Sequence, residues 1–194
     1  MKGIAMTNIV LLGGNGYLGR NVTRKWLEKD PQATFYVVSR SGKNTLEDSR
    51  IINIQADVTD YDDVISKLPD TIDRIADFVG RPESDPEKFR KVNDEPAEVM
   101  LAIARNKKIP AMEFISGTTG PKLFVRGKAR LARMLKDSGI PTVIVTPTIV
   151  YGNGRSDTIS KFVPLLKFFG IFSKNLKPVH VDDVAEQLVS GLAG

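Results

Sequence analysis

The sequence contains no cysteine and a single histidine among its 194 residues. Disulfide bonds, thiolate metal sites and cysteine nucleophiles are therefore excluded, and a zinc site is not expected because cysteine and histidine are its usual ligands. No apolar run reaches the ~18 residues that a membrane-spanning helix needs, and residues 1–5 lack the apolar core of a signal peptide. These absences lead us to expect a cytoplasmic protein with neither a metal site nor a transmembrane segment.

The net charge of +5 is unevenly distributed along the chain. Residues 44–98 contain 15 acidic and 7 basic residues, whereas residues 99–194 contain 6 acidic and 14 basic residues. A basic half can indicate a nucleic-acid-binding protein, but these bases are scattered along amphipathic segments with no aromatic-rich strand beside them. We interpret them as a solvated surface and do not expect nucleic acid as a partner.

The predicted secondary structure alternates between strands and helices. Residues 8–12 (NIVLL) are typical of a strand that is buried on both faces of a parallel sheet. Further strands are predicted at 34–38, 51–54, 72–79, 112–116 and 142–146, and helices at 16–29, 60–68, 86–106, 122–137, 156–169 and 181–192. Regular alternation predicts parallel strands with right-handed crossovers. We therefore expect residues 1–194 to form one α/β domain, a Rossmann-type doubly wound parallel sheet with helices on both faces.

A glycine-rich segment lies where the first strand must turn into the first helix. Gly14, Gly16 and Gly19 satisfy the spacing G-x-G-x-x-G, and Gly13 begins the related spacing G-x-x-G-x-x-G. In dinucleotide-binding domains such glycines allow a tight turn, a close approach of the backbone to the pyrophosphate, and close packing of helix on strand. The helix N-terminus then offers N–H groups and its positive dipole end to the phosphates. Glycine clusters also mark ordinary turns, but the position between strand and amphipathic helix favours a dinucleotide site.

The end of the second strand indicates which dinucleotide is bound. An NAD site places an acidic residue there to bind the ribose hydroxyls, but residues 38–43 (VSRSGK) contain none. Arg40, with Ser39 beside it, suits a 2′-phosphate because a guanidinium matches phosphate geometry. The alternative is an arginine in a solvent-exposed loop. We expect NADP(H) to be preferred over NAD(H).

With the glycine turn in this position, the chain resembles the extended and atypical members of the short-chain dehydrogenase/reductase superfamily. These include NmrA-like, NAD(P)-dependent epimerase/dehydratase-like and complex I accessory-subunit-like proteins. Residues 178–185 (PVHVDDVA) resemble the P-[VI]-H-V-x-D-V-A segment of extended members, and residues 146–152 (TPTIVYG) are similar to the R-P-x-x-[VI]-Y-G segment beside the nicotinamide. Residues 56–59 (ADVT) resemble the D-[VL] element, and Val92-Asn93 resembles an asparagine position of the following helix.

The resemblance implies a set of cofactor contacts. Asp57 would hydrogen-bond the adenine amino group, the fourth strand would pass the ribose at residues 78–80, and residues 152–194 would form a reduced substrate portion. The residues that it assigns to the cofactor are Gly13, Gly16, Tyr17, Leu18, Gly19, Ser39, Arg40, Asp57, Val58, Val79, Gly80, Lys128 and Pro147.

The chain departs from the family at the catalytic element. Family enzymes use Y-x-x-x-K, with tyrosine as the acid/base, but the matching residues here begin with Phe124 and end with Lys128. Phenylalanine has no exchangeable proton, so the family's proton transfer cannot occur at this position. Ser116 matches the family's serine after the fifth strand, and the resemblance leaves Ser116 and Lys128 as the candidate catalytic residues.

Lys128 lies on an apolar helical line that includes Phe124, Leu131 and Leu135. An ammonium group there is costly unless it has a partner, and a ribose hydroxyl or a cofactor phosphate would be one. The alternative is a lysine that extends past the helix edge into solvent. His180, the only histidine, is expected in a structural position near a helix start, with a catalytic base as the alternative.

Two functions from different classes follow from these residues. The first is an NADP(H)-dependent atypical reductase that acts on a small apolar carbonyl or quinone-like substrate. The second is a non-catalytic dinucleotide-binding redox sensor or assembly factor, which the loss of the tyrosine favours. An epimerase or dehydratase acting on a nucleotide sugar is disfavoured because that chemistry uses the missing tyrosine. The apolar segment 162–172 could be core, the wall of a substrate pocket or a partner surface.

Overall fold

The computed structural model of the chain describes residues 7–153 and 178–191. Its strands are β1 (Asn8–Leu12), β2 (Thr34–Ser39), β3 (Ile51–Gln55), β4 (Arg74–Asp77), β5 (Met112–Ile115), β6 (Thr142–Val145), β7 (Val150–Tyr151) and β8 (Val179–His180). Its helices are α1 (Tyr17–Lys29), α2 (Tyr61–Ile65), α3 (Pro86–Phe89), α4 (Glu95–Asn106), α5 (Lys122–Lys136) and α6 (Val181–Ser190), with a π-helical segment at Arg90–Asp94. The helix predicted at 156–169 and the apolar segment 162–172 lie outside the described residues. Within the described ranges, no helix is long and apolar enough to cross a membrane.

The six longer strands form one parallel sheet in the order β3-β2-β1-β4-β5-β6. This order is that of a Rossmann fold, in which the chain first builds outward from β1 in one direction and then returns to β4 on the other side. The predicted doubly wound sheet is therefore confirmed. A separate pair, β7 and β8, was not predicted, because two-residue strands are too short to produce a periodic pattern.

The side chains of β1 alternate between two apolar cores. Val10 and Leu12 pack in the core that includes buried residues of α2, α4 and α5. Ile9 and Leu11 pack in the opposite core, with buried residues of α1 and α6. All four side chains are fully buried. Burial on both faces is why this strand reads as a continuous apolar run rather than an alternating one.

The helix predicted at 86–106 is interrupted. The π-helical segment separates α3 from α4, and the N–H of Glu95 bonds to the carbonyl of Arg90 five residues earlier. Pro96 at the start of α4 explains the wider turn, because proline has no N–H to donate to the carbonyl four residues back. The segment places Asn93 and Asp94 in buried positions against the rest of the fold.

Two further elements are shorter than predicted. Helix α2 ends at Ile65, after which residues 67 and 68 make tighter bonds to carbonyls three residues earlier. Asp60 caps this helix by accepting a hydrogen bond from the N–H of Asp63. Strand β4 ends at Asp77, and the chain soon turns away from the sheet through Gly80, whose φ is +139°.

Glu113 is a fully buried carboxylate in the middle of β5. Its Oε1 lies 3.4 Å from a guanidinium nitrogen of Arg74 on the neighbouring strand, and its Oε2 has no hydrogen-bond partner among the described residues. Burial raises the pKa of Glu113 to about 8, although the charge of Arg74 opposes the change. The side chain therefore keeps its proton in the folded protein at neutral pH.

The stability of the fold should depend on pH through Glu113. Between pH 6 and 8 the unfolded chain has an ionised Glu113 while the folded chain keeps the proton, so the free energy of unfolding should fall as pH rises. Each pH unit of difference between the two pKa values is worth about 1.4 kcal/mol. Urea unfolding at pH 6, 7 and 8 should show this decline in the parent and a flatter profile in Glu113→Gln. The exposed substitution Asp70→Asn is the control and should keep the parental slope; parallel profiles for parent and Glu113→Gln would contradict the assignment.

Candidate functional site

The residues that the sequence assigns to a cofactor lie together at the carboxyl edge of the sheet. Most of them follow the end of a parallel strand or lie in the first turn of the helix after it, and Lys128 lies in the second turn of α5. In order of the strands they follow, the positions are Gly13 (β1), Ser39 (β2, its last residue), Asp57 (β3), Val79 (β4), Ser116 (β5) and Pro147 (β6). The order of the strands reverses between β1 and β4, and open α/β sheets bind ligands in the crevice at that point.

The glycine turn is packed too tightly for other residues. Gly13 has a φ of +72°, and a Cβ there would lie 2.8 Å from a methyl group of Val79. A Cβ on Gly19 would lie 2.5 Å from the Cα of Gly14 and 2.7 Å from the carbonyl oxygen of Gly13. The first turn of α1 therefore rests directly on the backbone at the end of β1.

No side chain in the described part of the chain caps the N-terminus of α1. Its N-cap residue is Gly16, which has no side chain to accept hydrogen bonds, and no acidic residue stands in the first turn. The positive end of the helix dipole therefore faces the crevice without a carboxylate or hydroxyl to satisfy it, which suits a pyrophosphate. The hydroxyl of Tyr17 donates to the carbonyl of Gly152 at 2.7 Å, which joins this turn to the loop after β7. The observed turn fits the phosphates of a dinucleotide.

The loop after β2 has a basic and hydroxyl-bearing surface. Arg40 is exposed, and the buried hydroxyl of Ser39 has no hydrogen-bond partner among the described residues. Asp57 lies nearby with an exposed carboxylate that accepts hydrogen bonds from the backbone N–H and hydroxyl of Thr59. These bonds, together with the charge of Arg40, lower the pKa of Asp57. Val58, the next residue, is buried beneath this edge of the sheet.

Helix α5 presents the predicted apolar line to the core. Phe124, Lys128, Leu131 and Leu135 are all buried. Lys128 is only 4% exposed, so its ammonium does not extend past the helix edge into solvent. Its Nζ donates to the carbonyl of Val79 at 3.3 Å and lies 4.5 Å from the centre of the Phe114 ring. Burial lowers the pKa of Lys128, while the charges of Asp77 and then Asp94 act in the opposite direction.

Ser116 and Phe124 both adjoin Gly117: Ser116 precedes it in the chain, and the Phe124 ring packs against it. Ser116 is buried and its N–H donates to the carbonyl of Val145, which fixes the end of β5 against β6. Two ring atoms of Phe124, Cε1 and Cζ, lie 3.1 and 3.4 Å from the position that a Cβ would take on Gly117. The ring also meets Phe89 edge-on, with centroids 6.5 Å apart. An apolar ring therefore fills the position that the sequence resemblance matches to the family's acid/base.

Pro147, the last of the assigned positions, is buried after β6. Its carbonyl accepts a hydrogen bond from the N–H of Thr118 at 3.4 Å, so the loops after β5 and β6 are joined. The end of β5 and the end of β6 therefore form one continuous wall of the crevice.

Asp77 is a site residue that the sequence analysis did not identify. It is the last residue of β4, is fully buried, and contributes a charge beside Lys128. The available signal was an acidic residue at the end of an otherwise apolar strand. The sequence alone could not relate it to α5, because the contact depends on which face of the sheet Asp77 occupies.

His180 takes the structural position that was expected. It is the N-cap of α6, and its Nδ1 accepts a hydrogen bond from the N–H of Asp182 at 3.3 Å. Its ring meets that of Tyr151 edge-on at 5.1 Å between centroids. The histidine thus links the two-stranded sheet to α6.

Comparison of the sequence with protein families gives one match. The model of the NAD dependent epimerase/dehydratase family matches residues 9–121. The match covers more than half of the chain and ends one residue before α5, so Phe124 and Lys128 lie beyond it. No curated protein matches the sequence significantly.

Solved structures share the fold at low sequence identity. A UDP-galactose 4-epimerase superposes with a TM-score of 0.74 at 18% identity, covering 96% of this chain and 72% of that one. A short-chain dehydrogenase family protein from Francisella tularensis gives a TM-score of 0.69 at 17% identity, covering 96% of this chain and 90% of that one. An enzyme from Bordetella bronchiseptica solved in complex with NAD+ gives 0.68 at 15% identity, with coverages of 96% and 73%. At these identities the likeness establishes the fold alone.

Two glycines of the turn should respond differently to alanine. Gly19→Ala forces a methyl group into backbone atoms, so we expect a loss of stability of about 1–3 kcal/mol. Gly16 has an ordinary φ of −71°, and a Cβ there would meet only the Gly13 carbonyl oxygen, at 3.2 Å. Gly16→Ala should therefore keep the melting temperature near that of the parent but weaken NADPH binding, because the methyl group occupies the phosphate approach. Thermal melts with fluorescence titrations test both; equal melting temperatures for the two variants would refute the packing argument.

Proposed function

Because the chain belongs to the NAD dependent epimerase/dehydratase family, we propose that it binds NADP(H) in preference to NAD(H) and reduces a small apolar carbonyl or quinone-like compound. Family membership and the Rossmann sheet account for a dinucleotide cofactor in general. The preference for the phosphorylated form and the reductase activity are the proposal.

The observation that supports NADP(H) is the surface after β2. Arg40 is exposed there, the hydroxyl of Ser39 has no hydrogen-bond partner within residues 7–153 and 178–191, and residues 38–43 contain no acid to hold the ribose hydroxyls. A 2′-phosphate would accept hydrogen bonds from both side chains and would face a guanidinium of matching geometry. Residues 38–43 themselves offer the hydroxyls of NAD(H) no carboxylate.

The remaining contacts follow from the carboxyl edge of the sheet. The glycine turn would hold the pyrophosphate, Asp57 and Val58 would contact the adenine, and Lys128 would contact the ribose next to the nicotinamide. The reduced nicotinamide supplies the hydride in reactions of this class. Ser116, at the end of β5, would orient the carbonyl group of a substrate. Residues 152–194 would form the substrate portion within a single domain.

Phe124 limits the chemistry that this site can perform. Without an ionisable group at that position, a ketone or aldehyde lacks the family's proton donor. A quinone-like acceptor takes up its protons from solvent, so it needs only a hydride and a pocket. This argument favours the quinone-like class and disfavours epimerase or dehydratase chemistry.

A non-catalytic redox sensor is the second candidate, and one observation favours it. The Phe124 ring contacts Phe89 and lies close to Gly117 and Gly120, so apolar contacts close the place of the acid/base. A protein that only binds the dinucleotide would need the glycine turn and Arg40 but no space for a substrate beside Ser116.

The cofactor preference can be tested at Arg40. NADPH should bind the parent more tightly than NADH, and Arg40→Ala should remove most of the difference, about 1–3 kcal/mol for a charge-assisted contact. Isothermal titration with both cofactors measures this gap. Arg105→Ala, which removes an exposed arginine from the far end of α4, is the matched control and should leave the gap unchanged. Equal affinities for NADPH and NADH in the parent would end the proposal of NADP(H) preference.

The catalytic proposal can be tested by restoring the missing hydroxyl. Phe124→Tyr places a hydroxyl on the ring edge that faces Gly117, next to Ser116 and one helical turn from Lys128. General acid catalysis contributes about 10²–10⁴-fold, so turnover of small ketones or aldehydes with NADPH should rise by up to that factor. Quinone reduction should change little. The double variant Phe124→Tyr/Lys128→Met is the control and should lose the gain.

The two candidate functions predict different results in this assay. A reductase oxidises NADPH with at least one quinone before any substitution. A sensor binds NADPH but neither the parent nor Phe124→Tyr turns over. Rapid reduction of carbonyl compounds by the parent, unchanged in Phe124→Tyr, would contradict both and indicate another proton donor, with Tyr151 the first to test.

A further inference from the structure

A buried carboxylate lies at the end of β4, below the loop that would face the cofactor ribose. Asp77 is fully buried, and its Oδ1 accepts the N–H of Val79 at 2.8 Å. Its Oδ2 has no hydrogen-bond partner in the described part of the chain. A buried carboxylate with an unsatisfied oxygen is costly, so a nearby cation is needed to account for it.

Lys128 supplies that cation, and it bonds to the other side of Val79, the residue whose N–H bonds to Asp77. Its Nζ donates to the carbonyl of Val79, while Asp77 accepts from the N–H of Val79. The carboxylate and the ammonium are therefore each hydrogen-bonded to one of the two peptide groups that flank Val79. Lys128 is also nine-tenths or more buried, and the Phe114 ring covers its ammonium.

The other charged groups around Lys128 are already engaged or are neutral. Asp94, on the π-helical segment, forms an ion pair with Arg130 of α5 at 2.7 Å. Asn93 donates to the carbonyl of Arg81, and its Oδ1 has no partner among the described residues. Within the described ranges, Asp77 is thus the carboxylate near Lys128 that forms no ion pair with another cation.

The ammonium lies directly beneath the loop after β4. A Cβ on Gly80 would lie 2.7 Å from the Nζ of Lys128 and equally close to the Oδ1 of Asn93. Gly80 itself is exposed, so its backbone faces the crevice on one side and the buried polar groups on the other. Only the backbone of Val79 and Gly80 therefore separates the Lys128 ammonium from a ligand that contacts these two residues from the crevice.

We propose that Asp77 is a positioning residue, whose carboxylate holds the Lys128 ammonium in its charged form under Val79 and Gly80, where the cofactor ribose would lie. The placement of the ribose rests on the proposed function. The pairing of Asp77 with Lys128 does not, and it can be measured without cofactor.

The directions in which burial and neighbouring charges change the pKa values of Asp77 and Lys128 agree with this pairing. Burial raises the pKa of Asp77 to about 6, and the charge of Lys128 is the first effect that opposes it. Burial lowers the pKa of Lys128, and the charge of Asp77 is the first effect that opposes that change. Each group therefore favours the charged form of the other.

The test uses the cofactor-free protein. NMR of isotope-labelled lysine side chains follows the titration of Lys128, whose signal is assigned by its loss in Lys128→Met. A nearby opposite charge typically changes a pKa by about 1–3 pH units, so Asp77→Asn should lower the pKa of Lys128 by that amount. Glu113→Gln is the matched control: it also replaces a buried carboxyl group of the sheet with an amide, but at a residue paired with Arg74, and it should leave the pKa of Lys128 unchanged.

A reciprocal measurement covers the case in which Asp77→Asn does not fold. In Lys128→Met the carboxyl carbon of Asp77 should titrate at a higher pH than in the parent, because the opposing charge is gone. Lys128→Met keeps the volume of the side chain and removes a buried charge, so it should fold. An Asp77 pKa that is the same in the parent and in Lys128→Met would overturn the pairing, as would an unchanged Lys128 pKa in Asp77→Asn.

NADPH titrations as a function of pH then test the role in binding. Affinity should fall at alkaline pH as Lys128 loses its proton, and in Asp77→Asn this fall should move to lower pH by the same amount as the lysine pKa. If the lysine pKa moves but the affinity profile does not, Asp77 does not act on the cofactor site. If the parent fails to bind NADPH while the NMR coupling is present, the proposed function fails and the pairing stands.

Discussion

The contact between the first turn of α1 and the end of β1 determines where the site lies. Only hydrogen fits on Gly19, because a Cβ would overlap the backbone of Gly13 and Gly14. The helix therefore starts directly above the strand, with its positive end at the crevice between β1 and β4. The loops after β2, β4 and β5 end at the same edge, since parallel strands bring their carboxyl ends together. The phosphate end of the proposed ligand is fixed by this packing, and the other contacts are arranged around it.

The two buried carboxylates of the sheet differ in what they face. Glu113 is on the same face of β5 as Ile115, in the core with α1 and α6, and its partner is an arginine that reaches the surface. Asp77 is on the same face of β4 as Ile75, in the core with α4 and α5, and its proposed partner is the buried ammonium of Lys128. Neither pair is an efficient way to stabilise a fold, because desolvation offsets most of the attraction. Protonation of Glu113 removes a buried negative charge and so reduces the desolvation cost of its pair with Arg74. The Asp77 pair lies under the crevice, where a ligand can share its hydrogen bonds.

Much of the fold could be predicted from the sequence because it depends on short-range patterns. Local patterns predict three elements directly: the apolar run of β1, the glycine turn and the apolar line of α5. The alternation of strands and helices then predicts the parallel sheet. The π-helical segment could not be predicted in this way, because Pro96 is compatible with a kink, a break or a wider turn. Asp77 could not be assigned to the site, because its face depends on the register of β4 against β1. The sequence did place Lys128 on a buried line, since i, i+4 and i+7 spacing fixes a helical face without knowledge of the sheet.

The combination of Phe124 with a buried Lys128 restricts what the site is suited to do. An ammonium group that serves only the fold would be better replaced by an apolar side chain of similar volume, because burial of a charge is costly and packing is not. The cost of burying the Lys128 ammonium is offset if a ligand hydroxyl completes the hydrogen bonds of that group. Phe124 removes proton transfer from the same helix but leaves this binding group intact. Under the proposed function, the site would separate two properties that the family's Y-x-x-x-K element combines: Lys128 would hold the cofactor, whereas Phe124 cannot protonate an alkoxide. A reaction that fits such a site is one in which the acceptor obtains its protons from water, and this requirement connects the proposed quinone-like substrate to the chemistry of a single side chain.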